Sequence, residues 1–151
     1  MVYLGILSLL VLLLLPIMHT FLKPKAILTQ IRLEREAALF FRQTEVEVYE
    51  AFRYAVRYGP TPFHAHQLIL YMDEGNLTYF KQGEKIIRTV SSQPYGGHLE
   101  MAHFVKDFRV LPVDDRLFQI SLTLADNGLE YKVERMMGLK TAHHPEEVEE
   151  T

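Results

Sequence analysis

Cysteine is absent from the sequence, which excludes a disulfide framework, a thiol nucleophile and cysteine-ligated zinc or iron–sulfur sites. No glycine-rich phosphate-binding loop is present either. The formal net charge is only −3, so no overall basic field attracts nucleic acid. The 151 residues suffice for about one domain and are too few for a barrel enzyme.

Charged residues are missing from residues 2–22, VYLGILSLLVLLLLPIMHTFL. As a helix this stretch is roughly 31 Å long, which matches the hydrocarbon thickness of a bilayer. A cleaved signal peptide would begin with basic residues and end at a small-residue cleavage site, and this stretch does neither. The pattern therefore predicts a transmembrane anchor helix over residues 1–23. The residues expected to make its membrane and assembly contacts are Leu4, Leu7, Leu10, Val11, Leu14 and Pro16.

An amphipathic helix is predicted to follow over residues 24–59, until Gly59 and Pro60 stop it. Its apolar residues recur at helical period, which predicts a face that packs on a sheet. The main stripe consists of Ile31, Ala38, Phe41, Val48 and Phe52. A second apolar row, which widens this stripe, contains Leu33, Ala37, Phe40, Thr44, Ala51 and Tyr54.

Beyond this break the apolar period changes from 3.6 to 2, which is typical of strands. Strands are predicted over residues 67–72, 77–81, 85–90, 103–110, 116–124 and 129–137. Asp126-Asn127-Gly128 indicates a tight hairpin between the last two. Residues 60–140 are therefore expected to form an antiparallel sheet domain with one face packed on the helix. The acidic tail, residues 141–151, is predicted to be disordered.

The predicted fold class is α+β, with a long N-terminal helix, part anchor and part amphipathic, packed on a small antiparallel sheet. This order of elements resembles type IV pilins and pseudopilins. Short stretches also resemble the ComGF family of competence minor pilins: residues 83–90 (GEKIIRTV), 97–101 (GHLEM), 104–108 (FVKDF) and 40–43 (FFRQ). The similarity extends over most of residues 2–138.

The resemblance implies a function in natural transformation. Such a protein is a structural subunit of a DNA-uptake type IV pilus and acts in pilus assembly or priming, with other pilins and minor pilins as partners. It would cross the cell membrane once, with its sheet domain outside the cytoplasm, and would join a pilus that spans the cell wall. The alternative is a signal-anchored membrane protein with a small partner-binding or ligand-binding domain.

The first residues depart from the pilin pattern, in which a basic leader, a Gly-Phe-Thr-like cleavage site and a glutamate precede the apolar run. If Pro16 corresponds to the proline that often lies late in pilin apolar segments, that glutamate would fall before Met1. We therefore expect the natural product to be longer. Lys23 and Lys25 follow the apolar run, so the positive-inside rule alone would place the sheet domain in the cytoplasm, and charge leaves the orientation open.

Histidines are the main candidates for chemistry. His64 and His66 are two residues apart and would share a strand face that could hold a metal, but no third ligand accompanies them. His98, beside two glycines, either fixes a loop or serves a membrane-tethered enzyme, and the loop is favoured. Asp114 and Asp115 are adjacent on a turn and point apart. The sequence therefore predicts no enzyme activity, no cofactor and no metal.

Direct contact with DNA is a further possibility, because the resemblance points to DNA uptake. The candidate patch consists of Lys81, Lys85, Arg88, Lys106 and Arg109. Solvated sheet faces carry the same residues, and lysines at sheet edges discourage aggregation. A structural role in the pilus is therefore the favoured interpretation.

Overall fold

The structure, a computed structural model, describes residues 2–59, 66–91 and 97–140. In the first helix it describes the side chains of residues 11, 12, 14–17 and 25 onward. The elements of these residues are α1 (Val2–Glu50), β1 (Arg53–Arg57), β2 (Gln67–Met72), β3 (Gly75–Gln82), β4 (Lys85–Val90), β5 (His98–His103), β6 (Val105–Pro112), β7 (Leu117–Asp126) and β8 (Leu129–Gly138).

The strands form two antiparallel sheets with simple topology. The order is β1-β2-β3-β4-β5 in the first sheet and β6-β7-β8 in the second, so within each sheet every strand pairs with its neighbours in sequence. The predicted fold class, a long helix packed on one small antiparallel sheet, is therefore wrong. Most of the structure is β-sheet, divided in two, and among the described side chains of α1 only a short region from Thr29 to Val48 is buried. A search of the described residues finds no helix with the length and hydropathy to cross a membrane.

The helix ends at Glu50, earlier than the predicted end at residue 59, because residues 53–57 form β1. The N–H of Phe52 already donates to the carbonyl of Tyr71, at 3.1 Å, and β1 pairs with β2 along its whole length. The ring of Tyr54 packs on Phe118 in the second sheet, with centroids 4.6 Å apart. These long-range contacts stabilise a strand where the local pattern also suits a helix.

All six predicted strands have counterparts in the structure, five of them closely. Residues 67–72 and 85–90 are confirmed with the same bounds as β2 and β4, and 77–81, 116–124 and 129–137 fall largely within β3, β7 and β8. The hairpin between β7 and β8 is also confirmed. Asn127 and Gly128 both have positive φ, 50° and 78°, as a two-residue turn of the favoured hairpin type requires.

The strand predicted over residues 103–110 corresponds to β6 from Val105 onward, but its start is wrong because the chain changes sheet at residue 104. Phe104 has a φ of 61° and separates β5 from β6. On one side Val105 N–H donates to the Glu84 carbonyl at 2.9 Å, and on the other Ala125 N–H donates to the Phe104 carbonyl at 2.7 Å. Residue 104 therefore joins the two sheets, and β5 is a strand that the sequence pattern did not predict.

One core lies between the helix and both sheets. The ring of Phe40 on α1 stands edge-on to Tyr79 of β3, with centroids 6.5 Å apart, and edge-on to Phe108 of β6, at 6.2 Å. Such edge-to-face pairs are favourable arrangements of aromatic rings. A single helix side chain therefore contacts both sheets. The predicted disordered tail, residues 141–151, lies outside the described residues.

Candidate functional site

The buried face of α1 is defined by eight side chains that are at most 8% exposed. They are Thr29, Leu33, Ala37, Phe40, Phe41, Thr44, Glu47 and Val48. At roughly 100° per residue these positions span an arc of about 120°. The centre of this face is the second apolar row of the sequence analysis, which was expected only to widen the main stripe.

The opposite side of α1 carries a second apolar stripe, and each of its side chains is more than half exposed. We call it the outer stripe; it consists of Leu28, Ile31, Leu39, Val46 and Tyr49, each between 53% and 65% exposed. At roughly 100° per residue they lie within an arc of about 80°, turned away from both sheets. Arg35 and Arg42 lie in the same arc and are also exposed. Exposed apolar residues gathered on one helix face, here with two arginines between them, make this side of α1 a candidate interaction surface.

The predicted packing stripe is divided between these two faces. Phe41 and Val48 are buried in the core as expected, but Ile31 and Ala38 are exposed, and Phe52 lies beyond the helix with 59% of its surface exposed. The periodicity detects apolar residues without showing which of them the chain's own sheets cover. The sequence does contain a sign of this division. Apolar residues occupy two opposite sides of the helix, whereas packing on one sheet requires an apolar stripe on only one side.

The residues predicted for membrane and assembly contacts lie near the start of α1. Val11, Leu14 and Pro16 have exposed side chains. The side chains of Leu4, Leu7 and Leu10 lie outside the described part of the chain.

A polar cluster next to the outer stripe fixes α1 against the first sheet. Glu36 Oε1 accepts hydrogen bonds from the backbone N–H and from Nδ1 of His103, each at 2.8 Å. The other ring nitrogen of His103 is 3.0 Å from Glu100, whose second oxygen accepts from Lys85 at 2.6 Å. The bonds to Glu36 and then to Glu100 raise the pKa of His103, while Lys85 and then His103 lower the pKa of Glu100.

Two further ion pairs hold the helix against the second sheet. Arg135 of β8 is bonded to Glu45 at 2.8 Å, and Arg32 pairs with Asp126 at the end of β7. The guanidinium of Arg32 also lies over the Phe104 ring, 4.7 Å from its centroid. Exposed pairs of this kind contribute little stability singly, but contacts to both sheets set the rotation of α1 and hence the direction of the outer stripe.

The five candidate DNA contacts are spread over both sheets. Lys81, Lys85 and Arg88 lie in the first sheet, whereas Lys106 and Arg109 lie in β6 of the second. Four of them form ion pairs: Lys85 with Glu100, Arg88 with Glu47, Lys106 with Glu130, and Arg109 with Asp107. The carboxylates offset the positive charge that contact with phosphates would need.

The histidines that the structure describes have structural surroundings. His66 Nδ1 is 3.1 Å from the Val110 carbonyl, and its ring is edge-on to Tyr58 at 5.1 Å, so it joins β2 to β6. His98 is exposed at the start of β5. His64, His143 and His144 fall outside the described residues. Within residues 2–59, 66–91 and 97–140, no group of three or more potential metal ligands is found.

The predicted carboxylate pair on the turn before β7 is also structural. Asp114 Oδ1 accepts hydrogen bonds from the N–H groups of Arg116 and Leu117, each at 2.7 Å. The Tyr54 hydroxyl bonds to carbonyls of the same turn, and burial, followed by the charges of Asp114 and Asp115, raises its pKa. This turn is therefore an anchor for β1.

No family model, curated protein or solved structure matches the chain. The stretches on which the predicted resemblance to the ComGF family rests lie at the turn before β4 and in β4, at the start of β5, at the crossing into β6, and on α1.

Proposed function

We propose that this chain is a minor pilin or pseudopilin of the ComGF type, a structural subunit of a competence type IV pilus that acts in pilus assembly or priming. The observation that carries the proposal is the outer stripe of α1. The sheets already cover the opposite face of the helix, and more than half of each of these side chains is left exposed. A helix with two apolar faces is suited to pack on its own domain and on a neighbouring helix at once.

The size of the stripe is sufficient for subunit contact. Complete burial of one large apolar side chain stabilises by about 1.5–3 kcal/mol. Covering the exposed half of five such side chains is therefore worth roughly 4–8 kcal/mol, before the costs of association. A single copy of this contact is weak, whereas a fibre in which each helix meets several neighbours adds many of them.

Exposed apolar side chains continue toward the start of α1, where Val11, Leu12, Leu14, Leu15 and Ile17 are 46–67% exposed. In the proposed function this part of the helix is stored in the cell membrane and then packs among the helices of other pilins, with the sheets outside the cytoplasm. The protein acts by packing and carries out no catalysis. Four of the five candidate DNA contacts are engaged with carboxylates, so the favoured partners are other pilus subunits.

The test places charge on the outer stripe in cells that produce the protein naturally. The double variant Leu39→Lys/Val46→Lys should be lost from sheared pili while its unfolding temperature stays close to that of the unmodified protein. Gln43→Lys, on the same helix but outside the stripe, is the matched control and should assemble normally. Normal incorporation of the double variant would contradict the proposal.

The second candidate is a signal-anchored membrane protein with a ligand-binding domain, which is favoured by an open cavity beside the end of α1. The two candidates differ in processing. Mass spectrometry of the N-terminus in protein isolated from its own membranes should show a cleaved, methylated end for a pilin. An unprocessed end would favour the signal anchor.

A further inference from the structure

Three buried side-chain atoms in the described part of the chain have no hydrogen-bond partner: Glu47 Oε2, Arg88 Nε and the Tyr79 hydroxyl. Two of these residues form one ion pair, Arg88 with Glu47. Buried polar atoms are nearly always bonded, so the unpartnered oxygen of Glu47 indicates a position that a further hydrogen-bond donor can complete.

The ion pair meets an open cavity of about 680 Å³ between the end of α1, the turn from β2 to β3, and β4. Glu47 and Arg88 both line this cavity. Apolar walls are supplied by Met72, Leu77 and Val90. The cavity lining therefore combines polar and apolar side chains, as the lining of ligand sites does.

The lining of the cavity is acidic. Glu50, Asp73 and Glu74 join Glu47, and these four carboxylates face two cations, Arg88 and Lys140, so the formal charge is −2. Lys140 is held at the Tyr49 ring, with Nζ 5.1 Å from the centroid. The charge of the lining favours a cationic ligand.

Glu47 is the residue at which a second cation would have the largest effect. The residue is only 8% exposed, and burial raises the pKa of its carboxyl, which Arg88 offsets only in part. Its second oxygen has no partner. A buried carboxylate in this condition is stabilised by any further cation that can reach it.

We propose that this cavity binds an alkylammonium group, with the ammonium at the Glu47 carboxylate and the alkyl stem against Met72, Leu77 and Val90. A lysine side chain of a partner protein and a free alkylamine share this chemistry. The site does not depend on the proposed function: of the outer stripe only Tyr49 lines the cavity, and Glu47 lies on the buried face of α1.

The direct test is a titration of the ¹⁵N-labelled full chain with n-butylamine at neutral pH. Saturable shifts are expected for the backbone amides of Gly75 and Arg88, which border the cavity. n-Butanol has the same alkyl chain without the charge, and it should cause no saturable shift. The absence of saturation with the amine, or equal responses to both compounds, would overturn the proposal.

Substitutions of single glutamates test whether the Glu47 carboxylate is the charge that binds the ammonium. Glu47→Gln should weaken butylamine binding by about tenfold or more, because it removes the buried negative charge. Glu45→Gln is the matched control, since Glu45 is on the same helix and also bonds an arginine, Arg135, but is half exposed. Its affinity should be unchanged. Equal affinity of folded Glu47→Gln and the unmodified chain would overturn the proposal.

A second variant keeps the test decisive if Glu47→Gln does not fold. The exposed rim pair Glu50→Gln/Glu74→Gln should fold normally and weaken binding by about threefold, because two attracting charges are lost. Unchanged affinity in this variant would count against the site. Comparison of N-acetyl-lysine amide with n-butylamine then identifies the source. Tighter binding of the lysine derivative supports a partner's lysine, and equal binding supports a free amine.

Discussion

Glu36 on α1 accepts two hydrogen bonds from His103, one from its backbone N–H and one from its ring Nδ1, both at 2.8 Å on the same carboxylate oxygen. The pair joins the middle of the helix to the last residue of β5. Immediately after it the chain turns at Phe104 into the second sheet. The contact therefore fixes the helix at the point where the two sheets separate.

This contact predicts a pH-dependent stability. The bonds to Glu36 and Glu100 raise the pKa of His103 in the folded protein above its usual value of 6.5, so the folded state binds the proton more tightly. The stabilisation is complete below pH 6.5 and is lost as the pH rises through the folded-state pKa.

The measurement compares unfolding temperatures of the unmodified chain and His103→Gln across that range. The variant should be less stable at about pH 5.5, and the difference should shrink by about pH 8.5. His98→Gln, at an exposed histidine on the same strand, is the control for the loss of an imidazole. A His103→Gln difference that is equal at both pH values would show that the charge of His103 plays no part.

Phe40 is expected to be the most sensitive position of the helix. Phe40→Ala removes a ring that contacts both sheets and should lower the free energy of unfolding by about 3–5 kcal/mol. Leu39→Ala, its neighbour on the outer stripe, should change that free energy by no more than about 0.5 kcal/mol. Chemical denaturation of both variants checks this contrast. Similar losses at the two positions would mean that the outer stripe is also part of the fold.

The ion pair between Glu47 and Arg88 should show strong coupling. The side chain of Glu47 is only 11% exposed and that of Arg88 only 21%. Glu47→Met alone therefore leaves the mostly buried Arg88 cation unpaired and should lower the free energy of unfolding by about 2–3 kcal/mol. The double variant Glu47→Met/Arg88→Met should recover most of that loss, because no buried charge remains unpaired. A double-mutant cycle measured by denaturation tests this. Additive losses would contradict a buried, interacting pair.

The sequence predicted local elements well where pattern and turn chemistry agree. β2 and β4 are short segments rich in apolar residues that end at turns, and Asn127-Gly128 has the backbone freedom that its hairpin needs. The predictions of secondary structure were wrong where contacts between residues far apart in sequence determine the local structure. Residues 53–57 fit a helical period, but pairing with β2 and the packing of Tyr54 on Phe118 make them a strand.

The division into two sheets could not be read from periodicity, because it depends on one residue. Phe104 adopts a positive φ, which is uncommon for a phenylalanine and cannot be expected from its residue type. Apolar residues also continue on both sides of it. The outer stripe was missed for a related reason. Leu39 and Phe40 are both apolar, and only the positions of the sheets show that one is covered while the other is exposed.

The most direct measurement is site-specific photo-crosslinking from the outer stripe in cells that assemble the pilus. A photoreactive residue in place of Leu39 should form covalent adducts with the helices of other pilus subunits, identified by mass spectrometry. The same residue in place of Gln43, exposed on the same helix outside the stripe, should form few. Adducts with pilus subunits from position 39 alone would establish that this face packs in the fibre. No adducts from position 39, or equal adducts from both, would contradict it.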